Sequence, residues 1–165
     1  MFYMFRTCGI RLSHSEMYTS ESCSDVFISL VDVFGLHPQS TDLISAVIYD
    51  RACDLHPFIK RLSREGNTIA TNFEYIHFMI DDFHVQGHKE PKCDISSPQC
   101  MYHPGLAQYS QYKGMNAEVA EQSFSILNLF KCSTRKMTLS KRLLFFKFLD
   151  DTANTIIEGK INKMD

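Results

Sequence analysis

Acidic side chains that follow apolar runs are the residues of this sequence best suited to chemistry. Asp50 ends the run "DLISAVIYD", and Asp81 ends the run "FEYIHFMID". Ligands of open α/β sheets collect at the carboxyl ends of the strands, and carboxylates there can coordinate a hard cation such as Mg²⁺. Aspartate also ends strands and caps helices for purely structural reasons. Both interpretations of these two residues stay open at this point.

A second pair of carboxylates lies in "NAEVAEQSFSILNLFK", where Glu118 and Glu121 are three residues apart on one side of a predicted helix. Glu118 would lie in the first turn, where the helix dipole favours any carboxylate. We expect Glu121 one turn further in, beside Ala120 and Phe124 on the core-facing stripe. An unpaired carboxylate is costlier to bury there. Glu121 is therefore the better functional candidate, and a solvated helix face is the alternative.

Metal-binding side chains concentrate in "DDFHVQGHKEPKCDISSPQC", which contains His84, His88, Cys93 and Cys100. Imidazole and thiolate ligands suit four-coordinate zinc, which could order a loop that has little core of its own. The spacing matches no standard zinc finger. The alternative is that the histidines line a cleft and contact phosphate.

Cys53 and His56 lie three residues apart on another predicted helix, a spacing that could suit a nucleophile and its base. That role requires an exposed thiol with a lowered pKa. A helical cysteine beside an apolar residue such as Ala52 more often packs as a small hydrophobic side chain. We expect a structural role for Cys53.

The elements that must position these residues follow from hydrophobic periodicity. Strands are predicted within residues 2–12 and 16–19, over 42–50 and over 73–81, and helices over 22–35, 51–65, 116–131 and 139–160. Residues 82–115 lose all periodicity and hold three of the five prolines, which predicts a loop-like insertion. Strands that alternate with helices favour an α/β fold with a partly parallel sheet.

Composition restricts the class of protein further. With 165 residues, 44% hydrophobic and 22% charged, the chain is typical of a globular domain and not of a disordered one. The net charge of −2 gives no general basic field, which argues only weakly against a DNA partner. No apolar run approaches the roughly 20 residues that span a bilayer, so no membrane partner is expected. The six cysteines are expected as reduced thiols.

The order of these motifs resembles the transposase domain of the Kyakuja–Dileera–Zisupton (KDZ) group of eukaryotic DNA transposons. The resemblance rests on "TCGIRLSHSEMYTSESCSDVF", "VIYDRAC", "FMIDDFHVQGHKEPKC" and "NAEVAEQSFSILNLFKCSTRKMT", which cover most of residues 7–138. It implies a ribonuclease-H-like fold, truncated at its N-terminus, with a Cys/His-containing insertion at about 82–115 before the last catalytic helix. We expect this domain to span 1–138, followed by an amphipathic helix and tail at 139–165.

The resemblance also implies roles for single residues. Asp50 matches the second acidic residue of the family's Asp-Asp-Glu site, and Glu121 the third, with Glu118 as a substitute. Cys53, Asp81 and His84 match accessory positions. His88 and Cys93 match the family's following His and Cys. Two Mg²⁺ or Mn²⁺ ions, transposon-end DNA as the partner and a nuclear location are implied in the same way, and self-association is left open.

One departure from the family bears on activity. The family's first catalytic aspartate lies on the first strand, upstream of "CGI", whereas this sequence has no aspartate before Asp25. Asp25 falls in a predicted helix and is no substitute. We expect a fragment of a transposase that cleaves and transfers little or no DNA alone. The alternative is a zinc-stabilised module that binds nucleic acid or protein without catalysis.

Overall fold

A computed structural model of the chain describes residues 2–16, 21–35, 44–85, 100–116 and 118–163. In chain order the elements are β1 (Phe2–Phe5), β2 (Arg11–Ser15), α1 (Cys23–Leu30), a π-helix (Val31–Gly35), β3 (Ala46–Ile48), α2 (Ala52–Arg64), α3 (Thr68–Phe73), β4 (His77–Met79), α4 (Asp82–Val85), a 3₁₀ helix (Ala107–Tyr112), α5 (Val119–Asn128), α6 (Lys131–Thr134) and α7 (Leu139–Ile161). The expected mixture of α and β structure is confirmed. No helix within these described ranges is long and apolar enough to cross a bilayer.

The elements belong to two compact units. Unit 1 contains residues 3–15 and 118–165, and unit 2 contains residues 16–117. Each unit combines a two-stranded sheet with helices, β1 with β2 in unit 1 and β3 with β4 in unit 2. The domain division predicted at residue 138 stays a prediction.

Unit 1 is built around the hairpin of β1 and β2. Gly9 turns the chain between the strands with a φ of +93°, a conformation that glycine adopts without strain. Tyr3, Leu127 and Phe146 form the buried cluster between the hairpin and the helices. Phe5, Phe124, Phe145 and Leu149 pack against it. The core of this unit is therefore largely aromatic.

A polar network fastens β2 to α7 beside that core. The Arg11 guanidinium donates to Asp150 Oδ1 at 3.0 Å, and His14 Nδ1 lies 2.7 Å from Asp150 Oδ2. The Asn154 side chain accepts from the Arg11 backbone N–H at 2.8 Å and donates to the Arg11 carbonyl at 2.9 Å. The side chain of Asn154 on the last helix thus pairs with both backbone polar groups of Arg11 in β2.

Unit 2 begins with the helix that the sequence predicts up to Gly35. Ser22 caps α1, since its hydroxyl accepts from the backbone N–H of Asp25 at 3.2 Å. α2 follows the predicted stripe, with Leu55 and Ile59 fully buried, and ends before Gly66, which has a φ of +92°. The buried apolar side chains of these helices and of α3 pack together as the core of the unit.

The strands of unit 2 are shorter than predicted. β3 and β4 pair in parallel through Ala46↔His77, Val47↔Phe78 and Ile48↔Met79. The expected strand at 73–81 is wrong in its first part, because Phe73 ends the helix α3. This helix is capped by Asn67, which accepts from the backbone N–H of Ala70 at 3.0 Å.

The predicted insertion is only partly described, and its described parts are ordered by the sheet. The backbone N–H of Ile80 donates to the carbonyl of Tyr102 at 2.9 Å, which lays that loop beside β4. The 3₁₀ helix at 107–112 places Tyr109 and Tyr112 against the strands, where both are buried. Residues 86–99 lie outside the described residues.

Candidate functional site at the strand edge

Asp50 and Asp81 lie at the same edge of the parallel pair. Ile48 and Met79 are partners in the register, and each aspartate stands two residues beyond its partnered residue. The backbone N–H of Tyr49 still donates to the carbonyl of Met79 at 3.0 Å, so the pairing continues to the point where Asp50 begins. The two aspartates that the sequence predicts at strand ends therefore follow the same end of the parallel pair. Their oxygens are the hard ligands that suit Mg²⁺ or Mn²⁺.

The residues on both sides of Asp50 are held by hydrogen bonds. The Tyr49 hydroxyl donates to Glu21 Oε1 at 2.7 Å, and burial, with this bond to Glu21, raises the pKa of Tyr49 above its ordinary range. Arg51 donates from Nη2 and Nε to Asp54 Oδ2, at 3.0 and 3.2 Å. The backbone that presents Asp50 is thus anchored to the residues just before α1 and to the first turn of α2.

Asp81 and His84 form a close pair. Asp81 Oδ1 accepts from the backbone N–H of His84 at 2.7 Å, and Asp81 Oδ2 lies 2.6 Å from His84 Nδ1. The Asp81 side chain is 11% exposed and that of His84 is 37% exposed. The pair fixes the imidazole orientation through a carboxylate, as often happens where the other ring nitrogen binds a metal or moves a proton.

Cys53 and His56 are core residues, so the condition for a nucleophile–base pair is not met. Cys53 is 8% exposed and His56 is also 8% exposed. His56 Nε2 donates to the carbonyl of Glu74 at 3.2 Å, and its ring stacks on Phe78 with centroids 4.7 Å apart. Burial lowers the pKa of His56, which keeps the ring neutral. The expectation of a structural Cys53 fits this environment.

Glu118 and Glu121 both lie at the start of α5 in unit 1. The helix begins at Val119, three residues after the start predicted at 116, with Glu118 at the N-cap position. Glu121 lies in the first turn and is exposed. The expectation that Glu121 lies one turn into the helix is wrong, because the later start leaves it in the first turn. Its side chain is exposed, so no carboxylate is buried at this position. The pairing of Glu121 with Asp50 of unit 2 stays a prediction from sequence.

The expected zinc ligands are described only in part. His88 and Cys93 lie outside the described residues. Cys100 is 3% exposed and packs in the core of unit 2. Burial raises the pKa of the neighbouring Tyr102 to about 12, and Cys100 makes a smaller contribution to this rise. Among the described residues, no group of three or more His, Cys, Asp or Glu side chains is arranged to hold a metal ion.

Sequence reasoning missed the two tyrosines that bind the backbone of this parallel pair. The Tyr112 hydroxyl donates to the carbonyl of Ser45 at 3.0 Å, and the Tyr109 hydroxyl lies 2.7 Å from the carbonyl oxygen of Phe78. The spacing of three residues between these tyrosines is the available signal, since it places both on one side of a 3₁₀ helix. Their contacts with strands far away in sequence could not be inferred from that spacing.

Comparison with known proteins gives one family. The family model described as Kyakuja-Dileera-Zisupton transposase matches residues 3–154. No curated protein and no solved structure gives a significant match. The matched range includes all of the motifs discussed above.

Proposed function

Because this chain belongs to the Kyakuja-Dileera-Zisupton transposase family, we propose that it is a transposase-derived, DNA-binding domain with a ribonuclease-H-like fold and a divalent-cation site at Asp50. Its function as a transposase relative follows from the family. The particular chemistry of a DDE site and a nuclear location are parts of this proposal.

The observation that carries the proposal is the position of Asp50 and Asp81 at the carboxyl edge of β3 and β4. The register of the strands brings both carboxylates to one edge, where open α/β folds bind their ligands. Asp50 and Asp81 each lie two residues beyond the last paired residue of their strand. The types of these residues fit Mg²⁺ or Mn²⁺.

Each residue has a distinct part in the proposed site. Asp50 binds the cation, and Asp81 adds negative charge at the same edge while it orients the imidazole of His84. Glu121, with Glu118 as the substitute, would supply the third carboxylate by resemblance to the family. When bound, a pair of divalent cations activates the attacking oxygen and stabilises the leaving oxygen of a DNA phosphodiester.

We further propose that the 165-residue chain alone cleaves little or no DNA. The family site uses three carboxylates, and the residues of this chain that match it supply the second and the third. With two carboxylates, the cations would be held weakly, because Mg²⁺ keeps its waters unless protein and substrate oxygens replace them together.

Manganese binding tests the cation site directly. We expect the electron paramagnetic resonance signal of free Mn²⁺ to fall when the protein is added, and Asp50→Asn to weaken that binding at least about tenfold. Glu65→Gln is the control, since Glu65 is an exposed carboxylate of the same unit that is paired with Arg61 at the end of α2. Equal binding by the wild type and Asp50→Asn would contradict the proposed site.

The zinc-stabilised module remains a second candidate because of the pair formed by Asp81 and His84. His84 Nδ1 is held at 2.6 Å from the carboxylate, an arrangement found behind many metal-binding histidines. If the domain is a zinc-stabilised module, we expect elemental analysis of the purified protein to find about one zinc per chain. The His84→Ala variant should contain none. Absence of tightly bound zinc from the wild type excludes this candidate and leaves the Asp50 site untouched.

A further inference from the structure

A cavity of about 260 Å³ lies at the carboxyl ends of β3 and β4. Its floor includes Ile48 and Met79, the last residues of the two strands. Its wall comes from residues 104–115, the part of the predicted insertion that carries the 3₁₀ helix. The cavity therefore adjoins the edge that carries Asp50 and Asp81.

The wall of this cavity is fixed to the sheet. The single proton of the Tyr109 hydroxyl is shared between the carbonyl oxygens of Phe78 and Met101, at 2.7 and 2.8 Å. The Tyr112 hydroxyl donates to the carbonyl of Ser45 at 3.0 Å. Both tyrosines are buried, so the 3₁₀ helix is anchored at two points along one face. A cavity held in this way is formed before any ligand arrives.

The lining combines apolar surfaces with a few polar groups. Ile48, Met79, Leu106 and Met115 contribute to the apolar part. The hydroxyls of Tyr109 and Tyr112 are bonded to backbone carbonyls, and the other polar side chains of the lining are those of Asp81, Ser110 and Lys113. The contacts with His84 hold the Asp81 carboxylate in one orientation. Each carboxylate oxygen has two acceptor positions, so Asp81 can accept a further hydrogen bond from a ligand.

We propose that this cavity binds an unpaired nucleobase that carries an exocyclic amino group, an inference that rests on the DNA-binding function proposed above. The cavity is smaller than the roughly 300–1,000 Å³ of drug-sized sites and several times larger than the about 30 Å³ of one water molecule. The flat faces of a base fit its apolar walls. Asp81 accepts a hydrogen bond from the amino group, and Lys113 lies where it can neutralise the attached phosphate.

This assignment predicts a preference among bases. Carboxylates accept hydrogen bonds from the amino group of cytosine, and thymine has no such group. In buffer with a chelator and without divalent cations, fluorescence anisotropy of labelled single strands of roughly eight nucleotides should show tighter binding of oligo-dC than of oligo-dT. The expected ratio of dissociation constants is at least about fivefold. Equal dissociation constants for the two strands would overturn the assignment.

Two substitutions on the 3₁₀ helix form a matched pair. Ser110 lines the cavity, whereas its exposed neighbour Gln111 does not. Ser110→Trp should fill the cavity and abolish the preference for dC, and Gln111→Trp should keep it. Circular dichroism verifies that both variants fold. A Ser110→Trp variant that folds and retains the preference would overturn the assignment.

Lys113→Ala keeps the proposal testable if Ser110→Trp fails to fold. Lys113 is exposed at the cavity, and its loss should weaken the binding of dC and dT strands by a similar factor, because it contacts phosphate and not the base. Lys160→Ala, on α7, is the control for a general change of charge. Unchanged affinity of Lys113→Ala for both strands counts against the proposal.

Free mononucleotides identify the source of the base. If dCMP competes with the oligonucleotide and dTMP does not, a single nucleotide suffices for recognition. If the preference appears only in oligonucleotides, the site takes a base from a DNA strand. Both results support the cavity assignment. Because these assays contain no divalent cation, their failure leaves the Mn²⁺ result at Asp50 standing, and the loss of Mn²⁺ binding leaves the base preference standing.

Discussion

At the scale of single residues, the most constrained charge in the described structure is Asp150. Its side chain is 9% exposed and contacts both Arg11, which is 6% exposed, and His14, which is 11% exposed. A buried carboxylate of this kind is tolerated because its partners satisfy it. Its removal leaves the guanidinium of Arg11 in a site with little water.

Asp150→Ala is therefore expected to lower the free energy of unfolding by about 3–5 kcal/mol. Asp151→Ala is the matched control on the next position of α7, since Asp151 forms an exposed i,i+4 pair with Lys147 that contributes at most about 0.5 kcal/mol. Urea denaturation followed by circular dichroism measures both. Equal destabilisation by the two substitutions would show that the network around Asp150 adds nothing.

The lowered pKa of His56 predicts how the free energy of unfolding changes with pH. Burial lowers its pKa in the folded protein, whereas in the unfolded chain histidine titrates near pH 6.5. Below about pH 6.5 the unfolded state thus binds more protons than the folded state at this residue. The neutral ring therefore contributes fully to the free energy of unfolding above about pH 6.5. This contribution is lost as the pH falls towards the lowered pKa of the folded protein.

We expect the urea midpoint of the wild type to fall between pH 7.5 and pH 5, and His56→Phe to reduce this fall. Phenylalanine keeps the stacking on Phe78 and cannot be protonated. Identical pH profiles for the wild type and His56→Phe would contradict this account.

At the scale of elements, two glycines show how the same substitution has opposite effects. Gly66 ends α2 with a φ of +92°, a conformation that costs other residues roughly 1–2 kcal/mol. Gly159 lies inside α7, where glycine is less favourable than alanine by about 1 kcal/mol. A Cβ at either position meets no atom within 4 Å, so only the backbone conformation differs.

Gly66→Ala should therefore lower the free energy of unfolding by about 1–2 kcal/mol, and Gly159→Ala should raise it by up to about 1 kcal/mol. Chemical denaturation of the two variants beside the wild type gives both values. Gly66→Asn should cost less than Gly66→Ala, because asparagine tolerates the left-handed region better. The same sign for both alanine variants would contradict the backbone argument.

Elements with strong periodicity could be predicted from the sequence, and short strands could not. The helices at 23–35 and 52–64 follow apolar stripes, and Ser22 is a recognisable cap of the first. The helix at 139–161 has nearly the bounds predicted for it, but Leu144, Phe148 and Ile156 are exposed. The apolar runs at 42–50 and 73–81 suggested longer strands than β3 and β4. An apolar run has no period that separates a strand from a buried helix turn, and Asn67 decides in favour of α3 for its first residues.

At the scale of the whole molecule, the matched family and the acidic strand edge together predict catalytic behaviour. We expect the 165-residue chain to produce no detectable Mg²⁺- or Mn²⁺-dependent nick in supercoiled plasmid DNA, because the proposed site would hold two of the three carboxylates that the resemblance implies. Agarose gels that separate nicked from supercoiled plasmid are the measurement. Nicking that Asp50→Ala abolishes would contradict this expectation.

The sequence by itself determined the types of the candidate residues, the family to which their order belongs and the ends of the long helices. These follow from short-range patterns, which local spacing encodes. The tertiary structure decided which parts of the chain come together: the strands that precede Asp50 and Asp81 pair in parallel, and Arg11 contacts Asp150 across 139 positions of the chain. It also decided that Cys53, His56 and Cys100 are buried, because burial depends on what packs over a residue and a one-dimensional pattern does not contain that information.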